Sequence, residues 1–83
     1  MKIDVRYFAS LREQLGTAEM FDLADGATVG QMRDLLIASS DAHAAALSRT
    51  RTIRCAVNKL LCKEDALIPA GAEVAFFPPV TGG

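Results

Sequence analysis

Few side chains in this 83-residue chain could do chemistry. The one histidine, His43, sits among alanines and polar residues, where a solvated ring is expected and not a general base. No Ser–His or Cys–His pair stands in a recognisable nucleophile setting. No spacing of histidine, cysteine and carboxylates fits a metal, so none is expected. Cys55 and Cys62 are too few for a disulfide framework and match no zinc or iron–sulfur pattern. They read as two reduced thiols, Cys55 packed as a small core residue, with a redox pair as the lesser alternative. Gly26-Ala27-Thr28-Val29-Gly30 has two glycines near a helix start. It lacks a third glycine and a lysine, so a turn followed by a cap explains it better than a phosphate loop.

The end of the sequence is different. It runs Glu73-Val74-Ala75-Phe76-Phe77-Pro78-Pro79-Val80-Thr81-Gly82-Gly83. Glycine has no Cβ, so a Gly-Gly end is the thinnest peptide available and can enter a narrow channel in another protein. Such a shape suits a chain whose reactive group is its own terminal carboxylate. A frayed end is the plain alternative.

The elements that must position this end can be read from periodicity. Ile3, Val5 and Tyr7 alternate with polar residues in a first strand, and Phe8 adds an aromatic on the opposite face. Ser10 and Glu13 form a capping-box signature for a short helix that Gly16 stops. A second strand covers 19–23, and Ala24-Asp25-Gly26 is a turn. Thr28 and Gln31 form a second capping box. Behind it Val29, Met32, Leu35 and Leu36 make the apolar stripe of a main helix over 29–38. Asp41 is positioned to cap a further alanine-rich turn running to Leu47. Ile53, Cys55 and Val57 alternate in a third strand, Asn58-Lys59 turns, and 60–63 is a short fourth strand. Pro69-Ala70-Gly71 turns into a last strand over 73–77, which Pro78-Pro79 ends.

This order predicts an α+β fold: a mixed sheet of four to five strands covered on one face by the main helix. A right-handed crossover places the last strand parallel to the first, which is the ubiquitin-like β-grasp arrangement. The expected unit is a single domain over 1–83 with a flexible tail at about 78–83. Consecutive Phe76 and Phe77 cannot both enter one core. With Val74 and Phe76 toward the helix, Phe77 lies on the uncovered face as part of a protein-docking patch.

Composition narrows the partners. Half the residues are hydrophobic (51%), 23% are charged and the formal charge is −1, so a polycationic nucleic-acid surface is not expected. The apolar runs fall short of the roughly 20 residues that span a bilayer. Lys2 leads into alternation and not an apolar h-region, so no signal peptide or membrane association is expected and the cytoplasm is the expected location.

The tail segment from Glu73 to Gly83 closely resembles the C-terminus of the small, sulfur-carrier subunits of molybdopterin synthase. The resemblance runs through nearly the whole chain: Val5-Arg6-Tyr7-Phe8-Ala9-Ser10-Leu11-Arg12-Glu13, Gly16-Thr17, Thr28-Val29 and Ala56-Val57-Asn58. Ala72 departs from it, standing where an aspartate is common, and residues 41–51 follow none of its pattern.

The resemblance implies a β-grasp carrier that is not catalytic alone. A ubiquitin-activating-type enzyme would adenylate Gly83 with ATP, and sulfur from a persulfide donor would replace AMP to leave a thiocarboxylate. No bound cofactor is implied, only the transient AMP adduct and the thiocarboxylate sulfur. Gly82 and Thr81 would form the part of the tail that passes into the large subunit's active site. There the sulfur reaches the cyclic pyranopterin monophosphate precursor, with acid–base residues supplied by that subunit. Two sulfurs make a dithiolene, matching a heterotetramer of two small and two large subunits. Phe77, Pro78, Pro79 and Val80 would dock the partner, with Leu61 and Phe8 as additions. The rival readings are a carrier for another sulfur pathway of the thiazole type, a ubiquitin-like protein modifier, and a plain interaction module.

Overall fold

The computed structural model describes residues 1–79. Alternation in the opening residues gives strand β1 (Lys2–Tyr7), with Ile3, Val5 and Tyr7 fully buried. A short helix α1 (Ser10–Leu15) leads to β2 (Ala18–Asp22), which returns antiparallel to β1. Helix α2 (Val29–Ser39) crosses over, and α3 (Asp41–Ala46) follows. Strands β3 (Arg54–Val57) and β4 (Leu60–Cys62) form a hairpin before β5 (Glu73–Phe77).

The sheet order is β2-β1-β5-β3-β4, with β5 parallel to β1 and antiparallel to β3. This is the predicted β-grasp: an α+β fold with a five-stranded mixed sheet. Val29, Met32 and Leu36 of α2 share one core with Ile3, Val5, Tyr7, Val74 and Phe76. Tyr7 and Phe76, paired in the β1–β5 register, stack with ring centroids 6.4 Å apart. Among the described residues, no helix is long and apolar enough to cross a membrane.

The Thr28–Gln31 capping box forms as read. The Thr28 hydroxyl accepts from the Gln31 amide at 3.2 Å, and Gln31 Oε1 accepts from the Thr28 amide at 2.8 Å. Three local expectations are corrected. Ser10 does not cap α1; the carbonyls of Phe8 and Ala9 take the first amides, and Ala9, at φ 54°, is the boundary residue. Ser40, not Asp41, caps α3, its hydroxyl accepting from the His43 amide at 3.1 Å. Leu35 is not in the core stripe but 50% exposed. At about 100° per residue it stands about 100° round the helix from Leu36. Arg33 occupies the inward arc instead, at 3% exposure.

Candidate docking face

The side chains of β5 divide cleanly. Val74 and Phe76 are fully buried beneath the helices, while Phe77 is half-buried on the other face of the sheet. The registers carry this division across the neighbouring strands. Ala75 lies opposite Ala56 and Arg6, Phe77 lies opposite Arg54, and Ala56 lies opposite Leu61. Cross-strand partners share a face, so these residues line the side of the sheet that no helix covers.

Phe8, Leu61 and Phe77 surround a groove floored by Ala56 and Ala75, with Lys59 and Glu73 at its margin. The floor is made by two small residues at the sheet centre, and the walls by three large apolar ones. Leu61 is 78% exposed and Phe8 46% exposed, so the walls present apolar surface to solvent. Such a contiguous patch with an aromatic wall fits a protein partner better than a small polar substrate.

The groove is held by the hairpin turn. Asn58 and Lys59 adopt positive φ (49° and 69°), the paired left-handed geometry that two-residue hairpin turns use. Asn58 is among the residues that tolerate it. Its amide donates to the Glu73 carbonyl at 2.8 Å, and its side-chain Oδ1 accepts from the Glu73 amide at 3.0 Å. The turn that places Leu61 is thereby locked to the start of β5. Beside the groove the same face becomes charged: Arg6 donates to Asp4 at 3.0 Å and lies 3.9 Å from Glu73. The hydrogen bond to Asp4, helped by both carboxylates' charge, holds the Arg6 guanidinium above its ordinary pKa. An apolar groove with an ionic flank gives a partner both area and orientation.

Of the site residues read from sequence, the structure brings Phe8, Leu61 and Phe77 together around this groove. Pro78 and Pro79 follow directly from β5 and are half-buried. Val80, Thr81, Gly82 and Gly83 lie outside the described residues. Among the described residues, no group of three or more His, Cys, Asp or Glu side chains could hold a metal ion.

His43 is not the solvated ring expected. Its Nε2 lies 2.7 Å from Glu19 Oε2 and its Nδ1 lies 2.6 Å from the Ser40 hydroxyl. The buried Tyr7 hydroxyl donates to the same Glu19 oxygen at 2.8 Å. Burial first, then that hydrogen bond, holds the Tyr7 phenol protonated. The three side chains tie α3 to the antiparallel β1–β2 pair. The alanine-rich context concealed this because Glu19 is 24 residues away in sequence.

A second cluster was also unread. Arg33 donates to Glu64 at 2.7 Å and to the carbonyls of Leu47, Ser48 and Arg51 at 2.9, 2.7 and 3.1 Å. Arg49 completes it through Glu64, Asp34 and the Gly30 carbonyl. Burial pushes the Glu64 carboxyl up, but the hydrogen bonds from Arg49 and Arg33 outweigh it and leave its pKa lowered. Gly30 makes room for this cluster, since a Cβ there would meet Glu64 Oε1 at 3.1 Å and the Glu64 carbonyl oxygen at 3.3 Å.

The order of strands, the single crossover helix and the open apolar face define a ubiquitin-like β-grasp protein. The ThiS family model matches residues 5–83, and the chain belongs to the ThiS family. It is 44% identical over 81 residues to the molybdopterin synthase sulfur carrier subunit of Escherichia coli (strain K12), covering 98% of this chain and 99% of that one. It is 33% identical over 92 residues to small archaeal modifier protein 3 of Haloferax volcanii, covering the whole of both. The crystal structure of SAMP1 from Haloferax volcanii superposes with a TM-score of 0.78 at 32% identity over the whole of both chains. The sulfur-carrier reading of the sequence agrees with the function named for the Escherichia coli relative.

Proposed function

We propose that this chain is a sulfur carrier for molybdopterin synthesis and that Gly83 is its working residue. A carboxylate is a poor electrophile because oxide would have to leave. Attack of the Gly83 carboxylate on ATP in a ubiquitin-activating-type enzyme expels pyrophosphate and gives an acyl-adenylate. The terminal sulfur of a persulfide donor then attacks the acyl carbon and expels AMP, giving an acyl disulfide. A second thiol of the donor attacks the donor sulfur, breaks that S–S bond and leaves the thiocarboxylate and a donor disulfide. The two cysteines of the chain take no part.

The observation that carries this reading is the apolar groove of Phe8, Leu61 and Phe77, placed where β5 leads into Pro78-Pro79 and the glycine end. Docking of that groove on a large catalytic subunit directs Thr81, Gly82 and Gly83 into its active site. The thiocarboxylate sulfur there attacks a carbon of the cyclic pyranopterin monophosphate precursor, forming a C–S bond and displacing an oxygen substituent. Water then cleaves the acyl–sulfur bond, leaving the sulfur on the precursor and restoring the Gly83 carboxylate. Two such deliveries complete the dithiolene, in a heterotetramer of two small and two large subunits working in the cytoplasm. The activating enzyme needs the same end of the chain, so the two partners bind in turn.

Reconstitution tests this. Thiocarboxylated chain mixed with the large subunit and the precursor should yield molybdopterin, and unmodified chain should not. Absence of product with a large subunit shown to work with its own carrier would move the assignment to another sulfur pathway. The modifier reading, supported by the similarity to small archaeal modifier protein 3, requires isopeptide conjugates to lysines in place of sulfur delivery.

A further inference from the structure

Cys55 and Cys62 face each other directly in the β3–β4 register. Opposed residues of an antiparallel pair have Cα atoms about 4.5 or about 5.5 Å apart, depending on their hydrogen-bonding position. Both separations fall within the span that a disulfide bridges. The two sulfurs are 3.8 Å apart. Cys55 is buried, whereas Cys62 is half-buried on the edge strand. Both cysteines line one cleft with Arg54, Leu61 and Phe77, and Cys62 is the more accessible of the two. The carrier chemistry uses neither sulfur.

We propose that Cys55 and Cys62 form a reversible thiol–disulfide site that takes a low-molecular-weight disulfide as its oxidant and closes a bond across the β3–β4 hairpin. Burial, then the hydrogen bond with Cys62, pushes the Cys55 thiol up to about 12. The half-buried Cys62 is therefore the attacking group. Its thiolate attacks one sulfur of the small disulfide, breaks that S–S bond and expels one small thiolate. Cys55 then gives its proton to solvent and attacks the Cys62 sulfur of the mixed disulfide, expelling the second thiolate. Two protein thiols are oxidised and one small disulfide is reduced to two thiols. The new bond ties the three-residue edge strand β4 to β3. Leu61, beside Cys62 and on the opposite face, thus projects from a hairpin whose stiffness follows the thiol state.

Glutathione disulfide added to the reduced full chain provides the test, read by intact mass without reductant and by tryptic mapping. Trypsin cuts after Arg54, Lys59 and Lys63, so peptides 55–59 and 60–63 stay together only through the disulfide. The expected result is loss of two hydrogens, a linked 55–59/60–63 pair, and reversal by dithiothreitol. Cys55→Ser should stop at a glutathione adduct on Cys62. Cys62→Ser should react at least ~10-fold more slowly than wild type. A stable glutathione adduct on the wild-type chain without linked peptides would overturn the proposal, as would Cys62→Ser reacting at the wild-type rate. The wild-type mapping stands on its own should either variant fold poorly.

Discussion

Phe76 and Phe77 are adjacent in sequence and opposite in role: one ring stacks on Tyr7 inside the core, and the other walls the open groove. The two-residue period of β5 makes the separation unavoidable. Phe76→Ala should cost about 3–5 kcal/mol, the range for emptying a packed aromatic site. Phe77→Ala should cost less than about 1.5 kcal/mol, but weaken binding to the large subunit by about tenfold or more. Urea unfolding and titration calorimetry on the same two variants separate the effects. Equal stability losses would contradict the division of faces.

Leu61 offers a cleaner probe, because it is largely exposed in the free chain. Leu61→Asp should leave the unfolding free energy nearly unchanged, within about 0.5 kcal/mol. It places a charge in an apolar contact, so complex formation should fall by at least about tenfold. Unchanged binding would remove the hairpin from the docking face.

The Arg33–Glu64–Arg49 cluster gives a pH signature. The Glu64 pKa is lower in the folded chain than in the unfolded one, so the unfolded state binds more protons in the acid range. Its stabilising contribution is therefore fully present above the ordinary carboxylate range, about 4.3. It is lost as pH falls through the lowered folded value. Glu64→Gln should be about 1–2 kcal/mol less stable at neutral pH, a modest figure because the carboxylate is partly exposed. The gap to wild type should close on acidification. A gap that stays constant with pH would show that the ion pair is not its source.

The first, third and last strands were legible because their inward residues recur at every second position. Ile3, Val5, Tyr7, Val74 and Phe76 announce one buried face, and Thr28 with Gln31 announces the main helix. The open apolar face followed from the same period, since Phe77 had nowhere else to go. What stayed hidden depends on contacts distant in sequence. Nothing local to Arg33 says that three carbonyls of a later loop and Glu64 will hold it buried. For the same reason Leu35, apolar and near the stripe, looked like the better core residue. His43 looked solvated because its partner Glu19 belongs to another element. Ser10 matched a capping motif that local backbone carbonyls made unnecessary.

The most direct test weighs the intact chain before and after incubation with ATP, the activating enzyme and a sulfur donor. The expected result is a mass gain equal to the replacement of one oxygen by sulfur. The gain should map to Gly83 and be absent from a chain lengthened by one uncleaved residue. An unchanged mass with an enzyme shown to load another carrier, or an equal gain on the lengthened chain, would contradict it.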